Sequence, residues 1–113
     1  MNDLISYLDF EKIDIKVGTI LSAEINNTLL QPSIVLKIDF GKEVGIKKSS
    51  AKLTKNYSSD KLINKQVAAV LNFYPKQIGN LMSEVLVLCF PDDNNNPILV
   101  SPDQKISNGG RLY

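Results

Sequence analysis

Val67-Ala68-Ala69-Val70-Leu71, then Asn72-Phe73-Tyr74-Pro75-Lys76-Gln77-Ile78-Gly79-Asn80-Leu81-Met82-Ser83-Glu84, then Val85-Leu86-Val87-Leu88-Cys89-Phe90 form one unbroken passage, and its reading decides the fold. The two apolar runs are short, β-branched and bounded by Pro, Gly and Asn, which predicts buried strands rather than helix. The stretch between them carries two aromatics, a Pro, a Gly, a Lys and a Ser-Glu pair. An aromatic and polar loop raised on buried strands is a common way to build a ligand-contacting rim.

Outward from this passage, the period of two persists. Ile13, Ile15, Val17, Thr19, Leu21, Ala23 and Ile25 alternate with polar or small residues, predicting a long half-buried strand in which Gly18 marks a bend or bulge. Asn26-Asn27-Thr28 reads as a turn. Ile34, Leu36, Ile38 and Phe40 alternate again and are closed by Gly41. Val44–Ser50 predicts a third strand with Ile46 inward, and residues 51–57 and 60–63 predict helical turns. Ile98-Leu99-Val100 predicts a last short strand, while Leu4–Ile13 fits a short helix or an irregular arm. Several short strands, little helix and many turn residues predict an all-β sandwich or barrel. A five-stranded Greek-key barrel with a short helical insert between strands three and four would be an OB fold, which commonly binds oligonucleotides.

The 113 residues predict a single domain spanning 1–113, with globular proportions of 43% hydrophobic and 22% charged residues. The longest apolar run is far too short to cross a bilayer, and the N-terminus has no basic n-region followed by a long apolar stretch, so a cytoplasmic protein without membrane insertion is expected. The one cysteine, Cys89, lies inside an apolar run and reads as a core residue in a reducing compartment.

The chain has no His. That removes His-based triads, His general bases and His metal ligands. Asp92-Asp93 lacks the spacing of a hard-cation loop and reads as a solvated turn, so neither metal nor cofactor is expected. Ser49, Ser50 and Ser83 are candidate nucleophiles with no His to activate them. An exposed Lys47 or Lys48 keeps its proton near neutral pH, so no enzymatic activity is expected.

The net charge of +1 hides an uneven distribution. Residues 1–46 carry four Lys against seven acids, residues 84–113 carry Lys105 and Arg111 against four acids, and residues 47–83 carry seven Lys against Asp60 alone. A basic middle third predicts a local positive patch on a nearly neutral protein.

Several segments in order resemble the tRNA-binding domain family found fused to some methionyl- and phenylalanyl-tRNA synthetases. They are Asp14-Ile15-Lys16-Val17-Gly18-Thr19-Ile20, Asp39-Phe40-Gly41, Leu62-Ile63-Asn64-Lys65-Gln66-Val67, Asn72-Phe73-Tyr74-Pro75-Lys76-Gln77-Ile78 and Ser83-Glu84-Val85-Leu86-Val87-Leu88. Gly45-Ile46-Lys47-Lys48-Ser49-Ser50-Ala51 and the ending Pro102-Asp103-Gln104 with Asn108-Gly109 are similar to the free-standing CsaA-type branch of export-related chaperones. The resemblance implies an OB-fold homodimer joined through N- and C-terminal extensions. It also implies two roles: binding of unfolded or precursor polypeptides in connection with export machinery, or structure-specific tRNA binding.

The expected ligand-binding set, for peptide or RNA, is Lys47, Lys48, Ser49, Ser50, Asn72, Phe73, Tyr74, Pro75, Lys76, Leu81, Met82, Ser83 and Glu84. Phe73, Tyr74, Ile78, Leu81 and Met82 would line an apolar groove, with Asn72, Ser83 and Glu84 as polar contacts. The chain departs from the tRNA-binding pattern at Gln77 and Met82, where a basic residue is usual, and at Val85-Leu86, where Gly-Met is frequent. Each phosphate left without a facing cation lowers the salt slope by about one unit, which moves the balance toward polypeptide binding.

Overall fold

The computed structural model describes residues 3–27 and 31–113; Thr28, the end of the first predicted turn, lies outside them. A five-stranded antiparallel sheet is built from β1 (Ile15–Asn26), β2 (Ser33–Asp39), β3 (Ile46–Ala51), β4 (Gln66–Val70) and a two-residue strand, Leu86–Val87, in the order β3-β2-β1-β4-(Leu86–Val87). Lys76–Ile78 (β5) and Leu81–Ser83 (β6) form a separate hairpin. The Leu86–Val87 strand is therefore β7, and Cys89–Pro91 (β8) pairs with Pro97–Leu99 (β9). Two short helices complete the chain, α1 (Tyr7–Glu11) and α2 (Ser59–Leu62). The architecture is the OB-like all-β barrel expected from the sequence.

The barrel curls because β1 serves two partners. Its first half, Ile15–Thr19, pairs with β4, and its second half, Thr19–Asn26, pairs with β2. A bulge between Ile20 and Ser22 marks the change. It bends the strand and shifts the side-chain parity, so Ile20 is fully buried and Leu21 is left exposed. The inward set expected from strict alternation is corrected accordingly: Ile20 and Ala23 face the core, Val17 is buried on the opposite face against the C-terminal tail, and Leu21 and Ile25 face out. Gly18 answers a close approach. A Cβ there would stand 2.6 Å from Ile38 Cγ2 and 2.7 Å from Phe40 Cδ1.

Ile34, Leu36, Ile38 and Phe40 of β2 and its end are all buried, as their alternation predicts. Ile46 is exposed rather than inward, because β3 begins there and presents Ser49 to the core instead. Residues 51–57 form a hydrogen-bonded turn rather than helix, in which the N–H groups of Asn56 and Tyr57 donate to Leu53 O. This turn and α2 drop Leu53 and Leu62 into the core.

The two apolar runs differ in fate. Every residue of β4 is buried: one face lies in the barrel and the other lies under the C-terminal tail. Gln66 exchanges two hydrogen bonds with the Ile106 backbone at 2.6 and 3.0 Å, and Ala68 N–H donates to Val100 O. The second run is not a continuous buried strand. It breaks at Leu88, whose N–H turns to Ala68 O while its carbonyl accepts from Val100, and Leu86 and Phe90 are left exposed.

The N-terminal segment is an amphipathic arm with a capping box: Ser6 Oγ accepts from Asp9 N–H while Ser6 N–H donates to the Asp9 carboxylate. None of its helical residues is buried. Arg111 in the tail holds this arm by donating to Glu11 O at 2.6 Å and pairing with Asp14 at 3.5 Å. No described helix is long and apolar enough to cross a membrane.

Candidate functional site: a hairpin rim pinned at both roots

The passage between the two apolar runs is a built projection rather than a plain loop. Gly79 has a φ of +60° at the first of the two central turn residues, the position where a type II′ hairpin requires glycine. β5 and β6 pair around it in the register Lys76 with Ser83, Gln77 with Met82 and Ile78 with Leu81.

One root is tied to the N-terminal arm. Asn72 Oδ1 accepts from Asp14 N–H at 2.9 Å, Asn72 Nδ2 donates to Lys12 O at 2.7 Å, and Leu71 N–H donates to Asp14 O. The other root is tied to β3. Lys48 N–H donates to Glu84 Oε1 at 2.9 Å, Glu84 N–H returns a bond to Lys48 O at 2.8 Å, and Ser50 N–H donates to Ser83 Oγ at 3.0 Å. Ser83 and Glu84 therefore complete the free edge of β3 with side-chain oxygens where a further strand would otherwise pair.

These bonds sort the expected residues. Asn72, Ser83 and Glu84 have their polar atoms committed to fixing the rim. Ser49 is only 1% exposed and its hydroxyl donates to Val85 O at 2.9 Å, so its side chain belongs to the barrel wall and cannot reach a ligand without opening it. Ser50 Oγ donates to Ser33 Oγ. What remains outward is Phe73 at 54% exposure, Tyr74 at 98% and Met82 at 46%, together with Pro75 and Lys76. Leu81 and Ile78 are half-buried against the hairpin's inner side.

Of the cationic groups, Lys76 lies on this rim and Lys48 beside it. Among the described residues, no lysine of 47–83 takes part in an ion pair; the ion pairs present join Lys12 to Asp9 and join Lys16 and Arg111 to Asp14. Lys48 stands directly across from Lys37 in the β2–β3 register, and both are exposed. Two like charges facing each other across a pair of strands destabilise the sheet unless an anion lies between them. Lys37 is absent from the sequence-derived set. The alternation that put Leu36 and Ile38 inward already placed Lys37 on the outer face, but its partner across the sheet required the register. Among the described residues no group of three or more Cys, Asp or Glu comes together to hold a metal ion.

A family profile described as "Putative tRNA binding domain" matches residues 15–111. The chain belongs to this tRNA-binding domain family. It is 36% identical over 114 residues to a methionine--tRNA ligase of Methanococcoides burtonii, covering 98% of this chain but only 16% of that enzyme. Among solved structures, the chaperone CsaA of Bacillus anthracis superposes with a TM-score of 0.92 at 38% identity, covering 98% of this chain and all of that one. The CsaA chaperone protein of Picrophilus torridus gives a TM-score of 0.90 at 44% identity over 97% of this chain and all of its own. Both the family and the likeness to CsaA-type structures agree with the resemblance read from the sequence.

Proposed function

We propose that this tRNA-binding-family domain works as a CsaA-type export-related chaperone, a single 1–113 unit that binds unfolded or precursor polypeptides without catalysing a reaction. The observation that carries this reading is the rim: Phe73, Tyr74 and Met82 are held in solvent on a hairpin whose two roots are fixed by hydrogen bonds. Rigid aromatic groups beside a flexible, polarizable methionine suit promiscuous apolar recognition. Full-length coverage of two CsaA chaperones supports it further. Function as a cytoplasmic homodimer fits the exposed apolar ends, because Leu4, Ile5 and Leu8 of the arm and Tyr113 of the tail find no cover in the isolated chain.

A second reading, structure-specific tRNA binding, is favoured by the unpaired lysines and the Lys37–Lys48 pair. One set of assays separates the two. If polypeptide binding is the role, the protein suppresses aggregation of a chemically denatured client. Suppression then survives Lys47→Glu with Lys48→Glu and falls several-fold with Tyr74→Asp plus Met82→Asp. Bulk-tRNA binding that is steeply salt-dependent and abolished by the lysine substitutions, without client protection, would favour the RNA reading instead.

A further inference from the structure

Apart from the rim, the barrel carries a second concavity of about 660 Å³ where β3 and the β7–β8 segment diverge. That volume lies within the range of pre-formed ligand clefts. One wall is the turn after β3, which contributes Lys52 and Lys55; the other is the β8–β9 turn, which contributes Asn95 and Asn96. The floor is aliphatic and includes Leu86, 49% exposed, and Cys89. The walls are held before any ligand arrives. Asp92 accepts from Asn94 N–H at 2.9 Å and Asn96 N–H at 2.8 Å, and Asn56 Nδ2 bridges from the opposite wall to Asp92 at 3.0 Å and Pro97 O at 3.2 Å.

The charged side chains that line this groove are of one sign. Neither lysine takes part in an ion pair among the described residues, and no carboxylate lines the cavity. The nearby Asp92 carboxylate keeps its charge, but its oxygens are turned to the amides of its own turn and to Asn56, and it does not line the cavity. A pre-shaped cleft with two cations, carboxamides and an aliphatic floor is complementary to an anion that carries an apolar group beside it. The lining also selects between macromolecules. It has no aromatic face on which a base could stack and no arginine to fork a phosphate.

We propose that this groove docks an extended polypeptide segment in which a carboxylate side chain neighbours an aliphatic one. The proposal rests on the polypeptide-binding reading and gives it a substrate class: the rim takes apolar residues without regard to charge, and the groove favours acidic-aliphatic stretches.

The test uses the full chain and short, blocked, fluorescent peptides of alternating Leu and Glu, Leu and Gln, or Leu and Lys. The Leu-Glu peptide is expected to bind about tenfold tighter than the Leu-Gln peptide, with affinity falling as salt rises, and the Leu-Lys peptide weakest of all. Lys52→Gln with Lys55→Gln should weaken Leu-Glu binding about tenfold at an unchanged thermal midpoint, since both side chains are exposed and free of ion pairs. Leu86→Asp should weaken it as well. Amide shifts on titration should fall on residues 52–55, 86–89 and 95–96. Shifts confined to 73–82, Leu-Glu affinity unmoved by the lysine substitutions, or binding of an oligouridine but not the peptide at Lys52 and Lys55 would each overturn the proposal. If the wild-type chain still protects a denatured client while the Leu-Glu peptide fails to bind, the groove is refuted and the polypeptide-binding reading stands. If client protection is absent from the wild type, that reading fails whatever the groove binds.

Discussion

Gly18 and Asn72 show how single positions carry structure that their residue type only suggests. Glycine within a strand signals a bulge or a close approach, and here the close approach is to Phe40 while the bulge sits three residues on at Leu21. An alanine at 18 would force the Phe40 ring and Ile38 aside in a filled core. Gly18→Ala is therefore expected to lower stability by about 1–3 kcal/mol, read as a lower midpoint in urea unfolding without a change of slope. An unchanged midpoint would mean that the core at Phe40 yields freely. An Asn at the end of a strand suits a ligand contact or a satisfied strand-end amide equally; the two bonds of Asn72, to Lys12 O and from Asp14 N–H, give it the second role. Those partners lie some sixty residues earlier in the chain, which is why local sequence leaves the choice open.

At the scale of elements, the strands β1 to β4 were legible, whereas the break in the second apolar run, the β5–β6 hairpin and the side-chain parity of β1 were not. β2 follows its alternation because nothing interrupts it. β1 does not, because the extra residue at the bulge moves the core-facing side chain from an even position, Ile20, to an odd one, Ala23, and a period-two pattern contains no mark of where that residue falls. The hairpin β5–β6 was readable in principle from Gly79-Asn80, but its strands are three residues each, too short to show a period. Its anchoring gives a prediction. With Ser83→Ala and Glu84→Ala together, the amides of Lys48 and Ser50 lose their acceptors, and their hydrogen exchange should quicken by about ten- to a hundredfold relative to the rest of β3. The exposed edge should also raise the tendency to self-associate. Equal exchange in both proteins would show that the edge is satisfied in another way.

The β8–β9 turn carries a pH signature. Hydrogen bonds from Asn96 N–H and from the Asn56 side chain hold the Asp92 carboxyl below the ordinary aspartate value of 3.8, the Asn94 N–H adding to them. A group depressed on folding contributes stability above its unfolded value and loses it as pH falls through the lower, folded value. The turn should therefore keep its amide signals at mildly acidic pH and lose them only below about 3.8. In Asp92→Ala the same signals should be weak at every pH. Melting of the wild-type turn well above that value would contradict this reading.

Across the whole molecule, two asymmetries define what the protein can do. Cationic side chains gather in residues 47–83, and apolar side chains are left in solvent at the rim, at the two chain ends and on the barrel surface at Ile46, Leu86 and Phe90. The first was countable from sequence alone. The second was not, because Leu86, Phe90 and Ile46 look like core until the register and the break at Leu88 turn them outward. The family was legible from ordered motifs, while the division of its candidate residues into structural pins and free contacts required the hydrogen bonds. Asn72, Ser83 and Glu84 pin the rim, Ser49 belongs to the barrel wall, and Phe73, Tyr74, Lys76 and Met82 are left in solvent. The most direct test is hydrogen exchange on the full chain with and without an unfolded client in excess. Exchange in the 76–83 hairpin is expected to slow on adding the client, an effect reversed by Tyr74→Asp plus Met82→Asp. Exchange in that hairpin unchanged by client and slowed only by tRNA would contradict it.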